Sequence, residues 1–220
     1  MTHGNWLEMI DGSQYWLASD RNDPEASAFA LSIESLAKQL SQINRFNGAT
    51  RWPYSVAQHS VWVSEALDVD ANWALAGLLH DAHEVVVSDV PRPVKLEMQT
   101  RGGEGRVLDQ IAKEADARIF KALGIEYPLT RQVELIVKHV DDVALATERR
   151  DLLIGDEPWA HLPEPHPKKL QMMVAEQAAR AFVSRFHHLV ERATGGKPAG
   201  TSDPISEIID GLIPTSTAGA

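Results

Sequence analysis

From Ser32 onward the apolar residues of this chain recur three and four positions apart, the period of a helix with one buried face, and polar punctuation divides the pattern into segments. Ile33, Leu36, Leu40 and Ile43 form the first run, which stops at Asn44-Arg45-Phe46-Asn47-Gly48 with Gly48 as terminator. Ser55-Val56-Ala57-Gln58 has the form of a capping box, so the next helix carries Val56, Val63 and Leu67 toward a core and His59 in its second turn. Asp70 caps a third helix through Trp73, Ala74, Leu75, Leu78 and Leu79 up to His80-Asp81, and Pro91 and Pro93 prevent it from continuing far. The run Gly102-Gly103-Glu104-Gly105 then separates off a fourth helix on Val107, Leu108, Ile111, Ala115, Ile119 and Leu123. Thr130 to about Arg150 is a fifth, and residues 156 to 167, with four prolines and two histidines, form a loop. Pro167 is expected to open a long amphipathic helix with Leu170, Met173, Val174, Ala178, Ala181, Phe182, Phe186 and Leu189, closed by Gly195-Gly196. The N-terminus departs from this pattern. Trp6 to Leu17 alternates loosely around Asp11-Gly12, a dipeptide suited to a tight turn, and predicts a β-hairpin. The expected fold is therefore all-α, a helical bundle with a small N-terminal β-hairpin.

Boundaries follow from the same pattern: an extension over residues 1–31, a core over 32–194, and a tail over 195–220 with a short turn of helix at Pro204 to Leu212. At 220 residues the chain can build one domain with a substantial core. There is no internal repeat, and no apolar run approaches the roughly 20 residues of a membrane span. The first residues lack a charged segment followed by an apolar one, so the cytoplasm is the expected compartment, that of the host if the chain is phage-encoded.

Charge and cysteine usage narrow the chemistry. A net charge of -10 argues against a nucleic acid polymer as partner, since phosphate backbones are met by a basic surplus. With no cysteine there is no disulfide, no thiol catalysis and no thiolate metal site, so any metal must be held by His, Asp and Glu. Such donors occur in three separate segments: Gln58-His59-Ser60, His80-Asp81-Ala82-His83-Glu84, and Lys138-His139-Val140-Asp141. Two imidazoles with two carboxylates suit a divalent ion that keeps water positions open. On the fifth helix, Val133, Ile136, Val137, Val140 and Ala144 define the buried stripe. Asp141 lies at its edge, roughly 80° from its centre, whereas Asp142 points toward solvent, so Asp141 is the expected ligand. His80 and Glu84, four apart, share a helix face; neighbours such as His80 and Asp81 would not normally converge.

The order of a lone His, then His-Asp, then a distant Asp resembles the HD-domain phosphohydrolases, an all-α superfamily named for that tandem pair, over roughly Ile43 to Asp151. The chain is most similar to the branch that contains the YfbR-type 5'-deoxynucleotidases and the phage dATP triphosphohydrolases. The matching segments are Arg45-Phe46, Ser55-Val56-Ala57-Gln58-His59-Ser60, His80-Asp81-Ala82-His83-Glu84 and Asp89-Val90-Pro91-Arg92-Pro93-Val94-Lys95. The resemblance implies an HD-domain core over 32–194 and metal ligands His59, His80, Asp81 and Asp141. It makes Asp81 and Glu84 the catalytic residues, with Glu84 positioning or activating water. It also implies a nucleotide pocket lined by Arg45, Phe46, Asp89 and Lys95. The ion would be Mn, Co, Zn, Ni, Fe or Mg. Ser88 stands where the branch commonly has glycine before the matching Asp.

The function so implied is metal-dependent hydrolysis of a small deoxynucleotide, leaning toward a dNTP triphosphohydrolase of the dATP type that releases deoxynucleoside and triphosphate. The alternatives are a 5'-deoxynucleotidase that cleaves dNMP and a non-catalytic nucleotide-sensing protein of the same fold. Arg45 and Lys95 would supply local positive charge for phosphate, with Arg51 or Arg92 assisting. A homo-oligomer is expected, and no membrane. His161 and His166 are expected to be solvated loop residues, His187 and His188 surface groups, and Met172-Met173 packing residues.

Overall fold

A computed structural model describes residues 5–17, 30–102, 105–157, 159 and 161–195. The anticipated hairpin forms from β1 (Trp6–Glu8) and β2 (Gln14–Trp16), paired antiparallel with Leu7 opposite Tyr15. Gly12 takes a φ of +82° at the turn, and the Asp11 carboxylate accepts from the Ser13 amide at 2.9 Å. Tyr15 and Met9 are buried in the main core, and the Arg118 guanidinium donates to the Trp16 carbonyl at 2.7 Å, which ties the hairpin to a later helix.

The rest of the described chain is mainly helical. The helices are α1 (Ile33–Leu40), α2 (Val56–Ala66), α3 (Ala71–Leu79), the single turn α4 (Glu84–Val87), α5 (Arg92–Gly102), α6 (Gly105–Ala122), α7 (Arg131–Leu152) and α8 (Ala175–Gly195). Ser32, Ser55, Asp70 and Thr130 each cap the helix that follows by accepting from its first turn. The antiparallel pair α2 and α3 lies at the centre, with α8 across both, α1 beside α8, and α7 against α2 and α3. Central position explains why α2 is buried on nearly every face, polar Gln58, His59, Ser60 and Ser64 included. The helices α2 and α3 approach closely at Gly77, where a Cβ would stand 2.7 Å from the Leu67 side chain and 3.2 Å from that of Val63.

Three local expectations are corrected. The first helix ends at Leu40, and Arg45–Gly48 form a separate 3-10 turn in which Phe46, Asn47 and Gly48 all have positive φ. Arg45 N donates to the Tyr54 carbonyl and Val56 N to that of Ile43, so the loop between is pinned at its neck. The third helix ends at Leu79, well before Pro91 and Pro93, and the two prolines instead begin α5. Val94 N and Lys95 N donate to the Pro91 carbonyl, and proline is tolerated in a first turn, where its missing N–H would have no partner anyway. Pro167 does not open the last helix, which begins at Ala175. The intervening irregular segment is held by tertiary bonds: Asp151 accepts from Leu170 N at 2.9 Å, and Gln58 donates to the Gln171 carbonyl. Met173 packs partly buried on the core, while Met172 is largely exposed. The helical turn anticipated at Pro204 to Leu212, much of the 1–31 extension and the 196–220 tail lie outside the described residues. No helix among the described residues is long and apolar enough to cross a membrane.

Candidate metal centre

Three helices bring the candidate ligands together: α2 contributes His59, the C-terminal end of α3 contributes His80 and Asp81, and the middle of α7 contributes Asp141. His59 Nε2 stands 3.3 Å from His80 Nε2, 3.5 Å from Asp81 Oδ2 and 3.3 Å from Asp141 Oδ1. His80 Nε2 is 3.3 Å from Asp81 Oδ2 and 3.9 Å from Asp141 Oδ1. Donors about 2.1 Å from one ion are separated by roughly 3.0 Å in an octahedron and 3.4 Å in a tetrahedron. The observed set is close to these spacings.

Sequential His80 and Asp81 lie at a helix break. The α3 helix ends at Leu79, and the chain continues as a tighter turn in which Ala82 N donates to the Leu79 carbonyl and Glu84 N to that of Asp81, before α4 restarts at Glu84. The expectation that His80 and Glu84 share one continuous helix face is therefore corrected: a helix break lies between them. Tighter winding by itself sets neighbours about 120° apart around the axis, so it is the reach of the two side chains at this helix break that brings His80 Nε2 within 3.3 Å of Asp81 Oδ2.

Each histidine is held by its other nitrogen. His59 Nδ1 meets Glu148 Oε1 at 2.6 Å, and His80 Nδ1 donates to the Gly77 carbonyl at 2.8 Å. With Nδ1–H committed, the Nε2 lone pairs of both rings converge with two carboxylates. His59, His80 and Asp141 offer donor atoms within 4.8 Å of one another, and Asp81 Oδ2 lies 3.5 Å and 3.3 Å from the two imidazoles, an acceptor set that fits a cation. Burial opposes charge on His59 and His80, yet the surrounding carboxylates raise both, His80 well above its usual value through Asp81 and Asp141. Burial likewise works against Asp81 and Asp141, but the imidazoles hold both well below the ordinary carboxylate range. A proton and a divalent ion would compete for these atoms, so binding of an ion would be favoured as pH rises.

Asp142, by contrast, is paired with Lys138 on the exposed side of α7, and Lys138 also reaches Asp141 Oδ2 at 3.2 Å. Arg45 is not free toward solvent. Its guanidinium is buried, bonded to Glu148 Oε2 through Nε at 3.1 Å and to Asp81 Oδ2 through Nη1 at 3.4 Å. Glu84 is 5% exposed, and its Oε2 has no hydrogen-bond partner among the described residues. Burial, together with Asp81 and Asp89, pushes its carboxyl well above the usual range, against the charges of Arg45 and Lys95. Asp89 is also raised by burial, while Arg45 and a hydrogen bond from the Phe46 amide pull the other way. Phe46 itself lies under the Arg45 guanidinium, 5.6 Å from ring centre to Cζ. Ser88 has φ +64° and ψ 167°, backbone territory that glycine occupies freely, so the loop to Asp89 keeps a glycine-like course despite the side chain. Lys95 is half-buried on α5, whereas Arg51 and Arg92 are exposed.

Sequence reasoning missed three residues here. Glu148 links His59 to Arg45 from full burial; its signal was its place two helical turns after Asp141, on the same face of α7. His83 and Asp116 pair at 3.2 Å, and Asp116 also accepts from His83 N at 3.1 Å. No local pattern points to Asp116, which comes from α6. His80, His83, Asp116 and Asp141 line one cleft of about 380 Å³, with Lys113, Phe120 and Tyr127 among its other walls. His166 instead packs edge-on against Trp62, and His161, His187 and His188 are exposed.

No family model matches the chain. It is 28% identical over 204 residues to the uncharacterized protein RCAP_rcc00048 of Rhodobacter capsulatus, covering 86% of this chain and 98% of that protein. It is 33% identical over 163 residues to the uncharacterized protein YfdR of Escherichia coli K12, covering 72% of this chain and 84% of that protein. At that identity and coverage, the chain belongs to the same family as YfdR.

Proposed function

We propose that this protein is a metal-dependent phosphohydrolase of the HD type acting on small deoxynucleotides. The observation that carries the reading is the convergence of His59 Nε2, His80 Nε2, Asp81 and Asp141, with both Nδ1 atoms already engaged by acceptors. These four residues would hold a divalent ion (Mn, Co, Zn, Ni, Fe or Mg), which supplies Lewis acidity toward a phosphate oxygen and an attacking water. Glu84, buried with an unpartnered oxygen near Asp81, is the group able to take and return a proton during hydrolysis. Arg45 anchors Asp81 and Glu148, which orients the ligand set from behind. Phe46 and Asp89 are residues the resemblance gives to the nucleotide pocket, and Lys95 is the nearby cation for phosphate.

One observation favours the monophosphate over the triphosphate. A triphosphate calls for several cations beyond the metal. Arg45 is already paired with Glu148 and Asp81, and Lys138 with Asp141 and Asp142. The charge arrangement thus supports a 5'-deoxynucleotidase more than the dNTP triphosphohydrolase that the sequence resemblance leans toward.

The test is to load the protein with Mn or Co, present each dNMP and dNTP, and separate the products by anion-exchange chromatography. Orthophosphate with deoxynucleoside from dNMP is expected. Inorganic triphosphate from dNTP would restore the triphosphohydrolase, and tight nucleotide binding with no product would point to a sensor instead. In the same assay Glu84→Gln should retain its metal and turn over about a hundredfold more slowly, the scale of a lost acid-base group.

A further inference from the structure

Resting on the deoxynucleotide reading of the metal centre, we propose that the cleft between α6 and α7 seats the nucleoside of the substrate, and that its carboxylate rim selects a base carrying an amino group. The cleft, about 380 Å³, counts His80 and Asp141 of the metal centre among its walls. A phosphate held at that centre would project its organic substituent toward this opening. None of Arg45, Phe46, Asp89 and Lys95 lines the cleft, so those four are left to the phosphate and the sugar.

Size and wall composition fit a nucleoside. Clefts that bind small molecules enclose roughly 300–1,000 Å³ and are walled mainly by apolar and aromatic side chains, with a few polar groups among them. Here Ala112, Leu129 and Val137 accompany an aromatic pair, Phe120 and Tyr127, whose ring centres are 5.1 Å apart at 54°. Phe120 is 2% exposed and belongs to the core, so the ring offered to a ligand is that of Tyr127, half-buried at the connection between α6 and α7. Stacking on such a face tolerates any base, so it supplies affinity without choice.

Charge decides which part of the substrate enters. Asp109, Asp116, Glu134 and Asp141 line the cleft against Lys113 and Lys138, four carboxylates to two cations, and Lys138 is already paired with Asp141 and Asp142. Burial, Asp116 and Glu134 together raise the Tyr127 phenol above its usual range, which sets those two carboxylates beside the ring. Additional phosphates would be repelled here. An uncharged group with N–H donors would not, and its bond to a carboxylate is charge-assisted. Asp116 is engaged by His83, which leaves Asp109 and Glu134 as the acceptors; the contact of Glu134 with Arg131 is an exposed pair one helical turn apart. Adenine and cytosine present an exocyclic amino group, whereas thymine presents a carbonyl and a methyl in its place, setting one acceptor against another.

The test is to irradiate the full chain, loaded with Mn, in the presence of 8-azido-dAMP and to identify the labelled peptide by mass spectrometry. Label is expected within residues 109–137, with deoxyadenosine protecting at about tenfold lower concentration than thymidine, the scale of a hydrogen bond to a charged group. By calorimetry Tyr127→Ala should bind dAMP about tenfold more weakly, the scale of a lost stacking partner. Tyr127→Phe should stay close to the wild type, and an unchanged Mn stoichiometry in both variants checks that they fold. Label confined to the Phe46 and Asp89 segments, or wild-type dAMP affinity in Tyr127→Ala, would overturn the cleft as the nucleoside seat. Equal protection by thymidine would overturn the selection of an amino-bearing base. Label in the cleft with no phosphate released from any deoxynucleotide would instead overturn the hydrolytic reading and leave the nucleoside site standing.

Discussion

Two buried clusters on α7 handle charge in opposite ways. Near its C-terminus, Asp151 has a donor for every lone-pair direction in use: Arg150 and Lys169 on Oδ1 at 2.7 and 2.9 Å, Arg150 and the Leu170 amide on Oδ2 at 2.8 and 2.9 Å. Ten residues earlier, Asp141 faces two imidazoles whose Nδ1 protons are committed elsewhere, alongside another carboxylate. The first cluster is closed; its charges are balanced by the chain itself. The second is a convergence of acceptors that Lys138 and Arg45 offset from its edges, with the Nε2 lone pairs still able to take a proton or a cation. The contrast separates a buried carboxylate that ties loops together from one arranged to bind something.

The largest expected effect breaks the open cluster. Asp141→Ala should abolish stoichiometric metal binding, read by mass spectrometry or calorimetry, while Asp142→Ala should bind normally because that side chain lies against Lys138. The reverse result would mean that the helical phase of α7 has been misassigned.

A smaller effect sharpens the distinction between ligand and support. Glu148→Gln keeps the volume and a hydrogen bond to His59 but removes the charge that both His59 and Arg45 use. Metal affinity should fall about 10–100-fold without loss of the site, the usual cost of altering a residue that orients a histidine ligand. Unchanged affinity would reduce Glu148 to a core ion pair.

The smallest effect lies in the closed cluster. Asp151→Asn should leave metal binding intact and lower stability at neutral pH by about 2 kcal/mol, the scale of hydrogen bonds to a charged group. Burial opposes the Asp151 charge, yet Arg150, the Leu170 amide and Lys169 hold its carboxyl well below the ordinary range. A depressed folded value means that its contribution is complete above the unfolded pKa near 4 and fades as pH falls below it. The stability gap between wild type and variant, measured by urea unfolding at pH 7 and pH 3, should therefore shrink at the lower pH. A constant gap would remove the charge from the explanation.

Legibility followed the reach of the interactions. Periodicity and caps are local, so α1, α2, α3, α6 and α7 were readable, as was the hairpin at Asp11-Gly12, because the residues that set them lie within a turn of one another. The candidate donors His59, His80, Asp81 and Asp141, and the choice of Asp141 over Asp142, were also visible, since donor type and helical phase are properties of the sequence. The start of α8 was not. Pro167 supplies a good first residue, but Asp151 and Gln58 capture the backbone of Leu170 and Gln171 and hold it out of the helix. The helix α5 was hidden because proline, read as a terminator, can also occupy a first turn. Only the tertiary structure decided that adjacent His80 and Asp81 converge, because that depends on where the two side chains reach beyond the helix end at Leu79. It alone placed Glu148 behind His59, buried Arg45 between two carboxylates, and set Asp116 from α6 against His83. Each of these pairs joins residues 33 or more positions apart or a side chain whose burial depends on several helices at once, and no local pattern in a sequence encodes such a distance.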